Sequence, residues 1–150
     1  MEQSFFICLG VLLVIAAIGD IRSYTIPNWL SVSIALLFIL HTILAPPGIQ
    51  AIAVHLAVAA VIFVGSTLLF IKGAFGGGDV KLLSSLALWV GLIDMPRLLV
   101  IMAIAGGLLA ITIIIVRWHL KSTDRRLPYG VAIALAGLDY CLVQAHLALW

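Results

Sequence analysis

The stretch FGGGDVKLL, Phe75 to Leu83, sets three glycines and a carboxylate between two strongly apolar runs. Its surroundings decide how it is read. The 150-residue chain is 65% hydrophobic and 9% charged, and its mean hydropathy of +1.31 lies well outside the range of soluble globular domains. A hydrocarbon core takes about 20 residues of helix to cross. Working outward from the glycines, six apolar runs approach that length: Phe5 to Gly19, Trp29 to Ala45, Ala51 to Ile71, Val80 to Ile93, Leu98 to Trp118 and Tyr129 to Leu149. The fold class that follows is an all-α polytopic bundle of about six transmembrane helices with a glycine-rich loop at the membrane edge. The fourth run is short, so it is expected to start inside the glycine loop or to tilt little.

No soluble domain fits between the runs and no internal repeat is visible, so residues 1–150 read as one membrane-embedded unit. The opening MEQSFF has Glu2 and no Lys or Arg before Arg22, which reads as a retained helix rather than a cleaved signal peptide. Cys8 and Cys141 fall inside apolar runs without a CxxC spacing, and His41, His55, His119 and His146 show no ligand spacing, so no metal and no other cofactor is expected. Seven of the eight basic residues (Arg22, Lys72, Lys81, Arg117, Lys121, Arg125 and Arg126) lie at the loops after runs one, three and five. Positively charged loops stay on the cytoplasmic side. Both termini are therefore expected outside, with Asp20, Asp79 and Asp124 near the cytoplasm. The net charge of +2 reflects this topology, and no basic stripe with aromatics suggests nucleic acid. Membrane lipids are the expected surroundings, and the sequence sets no oligomeric state.

Ionisable groups at membrane depth are costly and point to function. Asp20 ends the first run in AAIGDIRSYTIPN and Asp79 opens the fourth, so both are expected at the cytoplasmic edge. Two facing carboxylates that share a proton can hydrolyse a peptide bond without metal or covalent intermediate: the ionised one activates water and the protonated one polarises the carbonyl. Gly76, Gly77 and Gly78, lacking Cβ atoms, would let an extended substrate backbone approach. The plainer reading is that Asp79 caps a helix and that Asp20 with Arg22 marks the end of another. If Asp79 does cap the fourth helix while Asp20 lies at the negative end of the first, the dipoles favour the shared proton on Asp20.

Three segments carry a family resemblance: DIRSYTIPN from Asp20 to Asn28, GGGDVKLL from Gly76 to Leu83, and LPYGVAIALAG from Leu127 to Gly137. In order, spacing and span count the chain resembles the type IV prepilin peptidases, membrane aspartic proteases of the GxGD type. The resemblance implies that Asp20 and Asp79 are the catalytic pair and that the substrate is a prepilin, whose short leader is cut at the cytoplasmic face of the bacterial inner membrane. Larger members of that family also N-methylate the new terminus with an added domain bearing paired cysteines. With Asp20 already at position 20, the expectation is the compact peptidase of Tad (Flp) pilus systems, cutting without methylating; archaeal preflagellin peptidases are compact relatives. A small transporter or channel subunit using membrane-edge carboxylates is the competing class.

The remaining residues keep two readings each. Pro27 and Asn28 start and cap the second helix or touch substrate. Lys81 steadies the pair or a substrate carboxylate, or anchors its span. Tyr129, in the Pro128–Gly130 turn, borders a substrate groove by family resemblance or starts a helix with an interfacial aromatic. Asp139 is expected about 16 Å deep, from a rise of about 1.5 Å per residue, with His55 or Thr112 as structural partner. Asp94 is expected to pair with Arg97 in an outside loop.

Overall fold

The computed structural model describes residues 2–120 and 127–147. Within them the chain forms five helices: α1 Glu2–Ser23, α2 Asn28–Leu44, α3 Ile49–Ile71, α4 Gly77–Leu120 and α5 Tyr129–Leu147. Four of these, α1, α3, α4 as far as Val116, and α5, are long and apolar enough to cross a membrane, while α2 is shorter at 17 residues. Lys121, Asp124, Arg125 and Arg126, which the charge count placed in the fifth loop, lie outside the described residues.

Helix α1 turns Leu9, Leu13, Ala16 and Asp20 inward, at the four-three-four spacing of a single helix face. Asp20 thus continues an apolar stripe into the bundle. Helix α5 meets this stripe with small residues, which let helices in lipid pack closely. A methyl group added at Gly137 would lie 2.7 Å from Leu13 Cδ1 and 2.9 Å from Leu86 Cδ2, so α5 is wedged between α1 and α4. The first part of α4 is the centre of the molecule: Val80, Leu82, Leu83, Leu86, Ala87, Trp89 and Val90 are all buried. Apolar side chains such as Ile7, Val61, Ile93, Leu108 and Ile114 cover the outside, as a bilayer requires.

The expected count of about six is met in part: five continuous elements are present, the loop anticipated around LIDMPR is helical, and the interruption falls earlier, at Gly91, where α4 turns back on itself. There φ is 65° and ψ is −172°, outside the helical region. Before the break α4 runs in the same direction as α5: Leu86 packs at Gly137, and Trp89 O accepts from the Tyr140 hydroxyl at 2.8 Å. Beyond it the direction is opposite, as Asp94 meets Gln144, Arg97 meets Asp139, and Gly106 meets Tyr129 and Ala132. A helix interruption strands carbonyl groups inside an apolar bundle, where each needs a donor. Tyr140 supplies one. His55 Nδ1 lies 2.7 Å from Leu88 O and, facing a carbonyl, must be the protonated ring nitrogen.

The same reversal corrects two expected pairings. Asp139 does not bond to His55 or Thr112 at mid-membrane but to Arg97, at 3.0 Å, with side chains 36% and 53% exposed. Asp94 accepts from Gln144 Nε2 at 3.1 Å instead of pairing with Arg97. His55 is engaged by the freed carbonyl, and Thr112 donates to Leu108 O of its own helix at 2.8 Å.

Gly91 combines a left-handed φ with a crowded site, since an added methyl would lie 2.8 Å from His55 Cε1. Gly91→Ala is expected to lower stability by about 1–3 kcal/mol, read as thermal unfolding in detergent. Gly107→Ala, whose methyl meets nothing within 4 Å, should stay within about 0.5 kcal/mol of wild type. Equal losses in the two variants would contradict this reading of the break.

Candidate active site

Asp20 and Asp79 reach the same place from opposite directions. Asp20 lies in the last turn of α1, on its buried stripe, and is 4% exposed. Asp79 lies in the first turn of α4 and is 7% exposed. Both line one cavity of about 540 Å³, and they are close enough for the charge of Asp20 to act on Asp79. Gly76, Gly77, Gly78, Tyr24 and Phe75 line it too.

Local chemistry holds each carboxylate. The Gly76 N–H donates to Asp79 Oδ2 at 3.2 Å, so Asp79 reaches back to the start of its own helix in the manner of a capping box. Asp79 is thus not the N-cap residue but the third residue of α4 reaching back to its start, and its carboxylate stays on the cavity. Around Asp20 the relevant helix is α5, not only α1. The backbone amides of Gly130 and Val131 bear on its carboxylate, and a methyl added at Gly130 would lie 2.8 Å from Asp20 Oδ2. Asp20 Oδ2 itself is buried without a hydrogen-bond partner. Both aspartates thus face helix N-termini, which favour negative charge. The expected bias of the shared proton toward Asp20 rested on α1 alone and loses that basis.

The glycines act differently from one another. None of Gly76, Gly77 and Gly78 has a positive φ, so close packing is what calls for Gly76 and Gly78, while a side chain at Gly77 would meet only an ordinary contact. A methyl at Gly76 would lie 2.8 Å from Asp79 Oδ2, one at Gly77 3.5 Å from Phe70 Cε2, and one at Gly78 3.1 Å from Ile26 Cβ. Pro27 occupies the N-cap position of α2 with extended backbone and no side-chain cap bond, and Asn28 is the first helical residue. Asn28 does not cap: its Oδ1 accepts from Lys81 Nζ at 2.8 Å. That bond holds Lys81 outside the cavity, over a separate apolar groove between α2, α3 and α4. Tyr129 is the first residue of α5, lines the cavity, and packs on Phe75 with ring centroids 5.5 Å apart.

Several contributors were not singled out from the sequence. Tyr24 has φ 50°, and its N–H donates to Asp20 O at 2.9 Å, a left-handed helix ending. Ser23 Oγ donates to Gly19 O at 2.8 Å and Thr25 Oγ1 to Ser23 Oγ at 2.9 Å, tightening the same turn. The turn sends Ile26 back into the bundle. The polar cluster RSYT followed by IPN is the signal that could have located it. Among the described residues no group of three His, Cys, Asp or Glu is placed to hold a metal.

Residues 7–111 match the type IV leader peptidase family, and the chain belongs to that family. It is similar to the prepilin leader peptidase/N-methyltransferase of Dickeya chrysanthemi, 31% identical over 137 residues, which covers 87% of this chain and 47% of that protein. The protein of the same name in Aeromonas hydrophila is 35% identical over 66 residues, covering 44% of this chain and 22% of that protein. The chain therefore spans about half the length of the first of these relatives and less of the second. No solved structure matches it.

Crowding and pairing at the site predict opposite sensitivities. Gly130→Ala forces a methyl to within 2.7 Å of Ile26 Cδ1 and 2.8 Å of Asp20 Oδ2, so thermal unfolding in detergent should show a loss of about 1–3 kcal/mol. Lys81→Met breaks only an exposed pair and should cost less than about 1 kcal/mol. A larger loss at Lys81 than at Gly130 would count against this description.

Proposed function

We propose that this protein is an aspartic endopeptidase that removes the short leader of type IV prepilins, with Asp20 and Asp79 as the catalytic pair. The observation that carries the reading is that both aspartates, buried and from helices far apart in sequence, line one cavity with room for water and an extended peptide. Family membership supports the activity. One aspartate, ionised, takes a proton from a water held between the pair. The other, protonated, hydrogen-bonds the scissile carbonyl as the water attacks, and the proton then passes to the leaving amine. The Gly76 N–H donates to Asp79, and the start of α5 lies against Asp20, which offsets part of the cost of holding negative charge in this buried site.

Arg22 and Lys72 lie near the cavity end of the bundle, which supports placing that end at the cytoplasmic face of a bacterial inner membrane. Gln3 Nε2 reaches Ala145 O at 3.5 Å, joining the start of α1 to the last part of α5 away from the aspartates. The start of α1 and the last part of α5 then both face outside. We take residues 1–150 as one peptidase unit and assign it to the Tad (Flp) class, cleaving without methylating. The three motifs support the peptidase part of that assignment.

Co-expression with a candidate prepilin, read by mass spectrometry, tests the whole reading. Wild type should release the leader and leave an unmethylated mature terminus. Asp20→Asn and Asp79→Asn should insert normally and each lower cleavage by about 100-fold or more. Cleavage by either variant removes that aspartate from the mechanism. A methylated product of this chain alone would overturn the assignment to the non-methylating class.

A further inference from the structure

Ile26 is the side chain through which the two halves of the cavity touch. It lies in the short connection between α1 and α2, yet is only 8% exposed. Its Cβ and Cγ1 lie 3.1 and 3.6 Å from the position a methyl would take at Gly78, the residue directly before Asp79. Its Cδ1 lies 2.7 Å from the corresponding position at Gly130, where Asp20 Oδ2 is 2.8 Å away. One side chain thus reaches from the backbone that carries Asp79 to the backbone packed against Asp20. Isoleucine suits such a task, being branched at Cβ and stiff about χ1. Gly78 and Gly130 are the residues whose missing side chains admit it.

We propose that Ile26 is a positioning residue, a rigid spacer that sets the separation of Asp20 and Asp79 by bearing on Gly78 and Gly130 together. The proposal rests on the reading of those aspartates as the catalytic pair. Neither of them bonds to Ile26, and Ile26 need not touch the reacting atoms. Its effect follows from Coulomb's law: near 4 Å, each added ångström weakens the coupling of two charges by about half a pH unit at an effective dielectric of about 20. A pair sharing one proton works between its two apparent ionisations, so the stronger coupling of a closer pair widens the working range. Besides the two aspartates, the titratable side chains lining the cavity among the described residues are Tyr24 and Tyr129. Lys81 is turned away onto Asn28.

The test is the pH profile of prepilin cleavage by the full chain in membranes, for wild type, Ile26→Ala and Ile26→Val. Ile26→Ala removes the spacer. With nothing between Gly78 and Gly130 the carboxylates close up, so its acid and alkaline limbs should move apart by about half a pH unit or more, and its maximal rate should fall about tenfold or more. Ile26→Val keeps the branch against Gly78 and loses the methyl at Gly130, so its profile should fall between the two and most of the rate should return. A residue that only supported the fold would scale the profile down without changing its width; that result for Ile26→Ala overturns the proposal. If Ile26→Ala does not insert, the width for Ile26→Val decides, widened in support or unchanged against. Failure of the underlying reading looks different, as cleavage that survives Asp20→Asn or Asp79→Asn.

Discussion

Two carboxylates have to be kept inside an apolar bundle, close enough to feel each other's charge. An unpaired ion in such surroundings is expensive, and a second one beside it adds repulsion. The fold answers with helix N-termini. Asp79 folds back on the Gly76 N–H at the start of α4, and Asp20 lies against Gly130 at the start of α5. For α5 to bring that start to the end of α1, it must pack tightly along it, which is why small residues line its inner face and a methyl at Gly137 would collide with Leu13 and Leu86.

The break at Gly91 belongs to the same solution. The part of α4 that carries Asp79 is buried on nearly every side, so it is short, central and unlike the lipid-facing helices around it. Ending it there strands the carbonyls of Leu88 and Trp89, which His55 and Tyr140 satisfy. These two side chains lie far along the chain from the aspartates and touch neither. They stabilise the reversal that lets α4 leave the centre, just as the Tyr24 turn lets the chain leave α1 and tuck Ile26 underneath.

Much of this was legible in the residues. Hydropathy located the apolar runs, and the spacing of Leu9, Leu13, Ala16 and Asp20 already places the first aspartate on an inward face. DIRSYTIPN and GGGDV marked the two segments that meet. The break was misplaced because Gly91, Leu92 and Ile93 look like continuing helix, whereas Asp94, Pro96 and Arg97 look like a loop. Proline near the start of the new helical segment costs little, and the charged pair finds partners on α5 instead of in a turn. Side-chain pairing between distant segments leaves no local pattern, so the bond of Lys81 to Asn28 and the second helix N-terminus at Asp20 were out of reach of sequence reasoning. The packing of Gly78 against Ile26 was also out of reach, because nothing in the spacing of the two announces it.

The central claim is that Asp20 and Asp79 act as one unit on a single reacting centre. The most direct measurement is calorimetric binding of a leader peptide in which the scissile amide is replaced by a hydroxyethylene unit. This group offers the pair a tetrahedral hydroxyl in place of the attacked carbonyl, and mimics of that kind gain affinity only from groups that stabilise the transition state. The account predicts that the wild-type protein binds the mimic at least about 100-fold more tightly than the parent leader sequence with an unreactive amide. It also predicts that changing either aspartate to asparagine removes most of that preference. A preference that survives loss of either carboxylate would contradict the account.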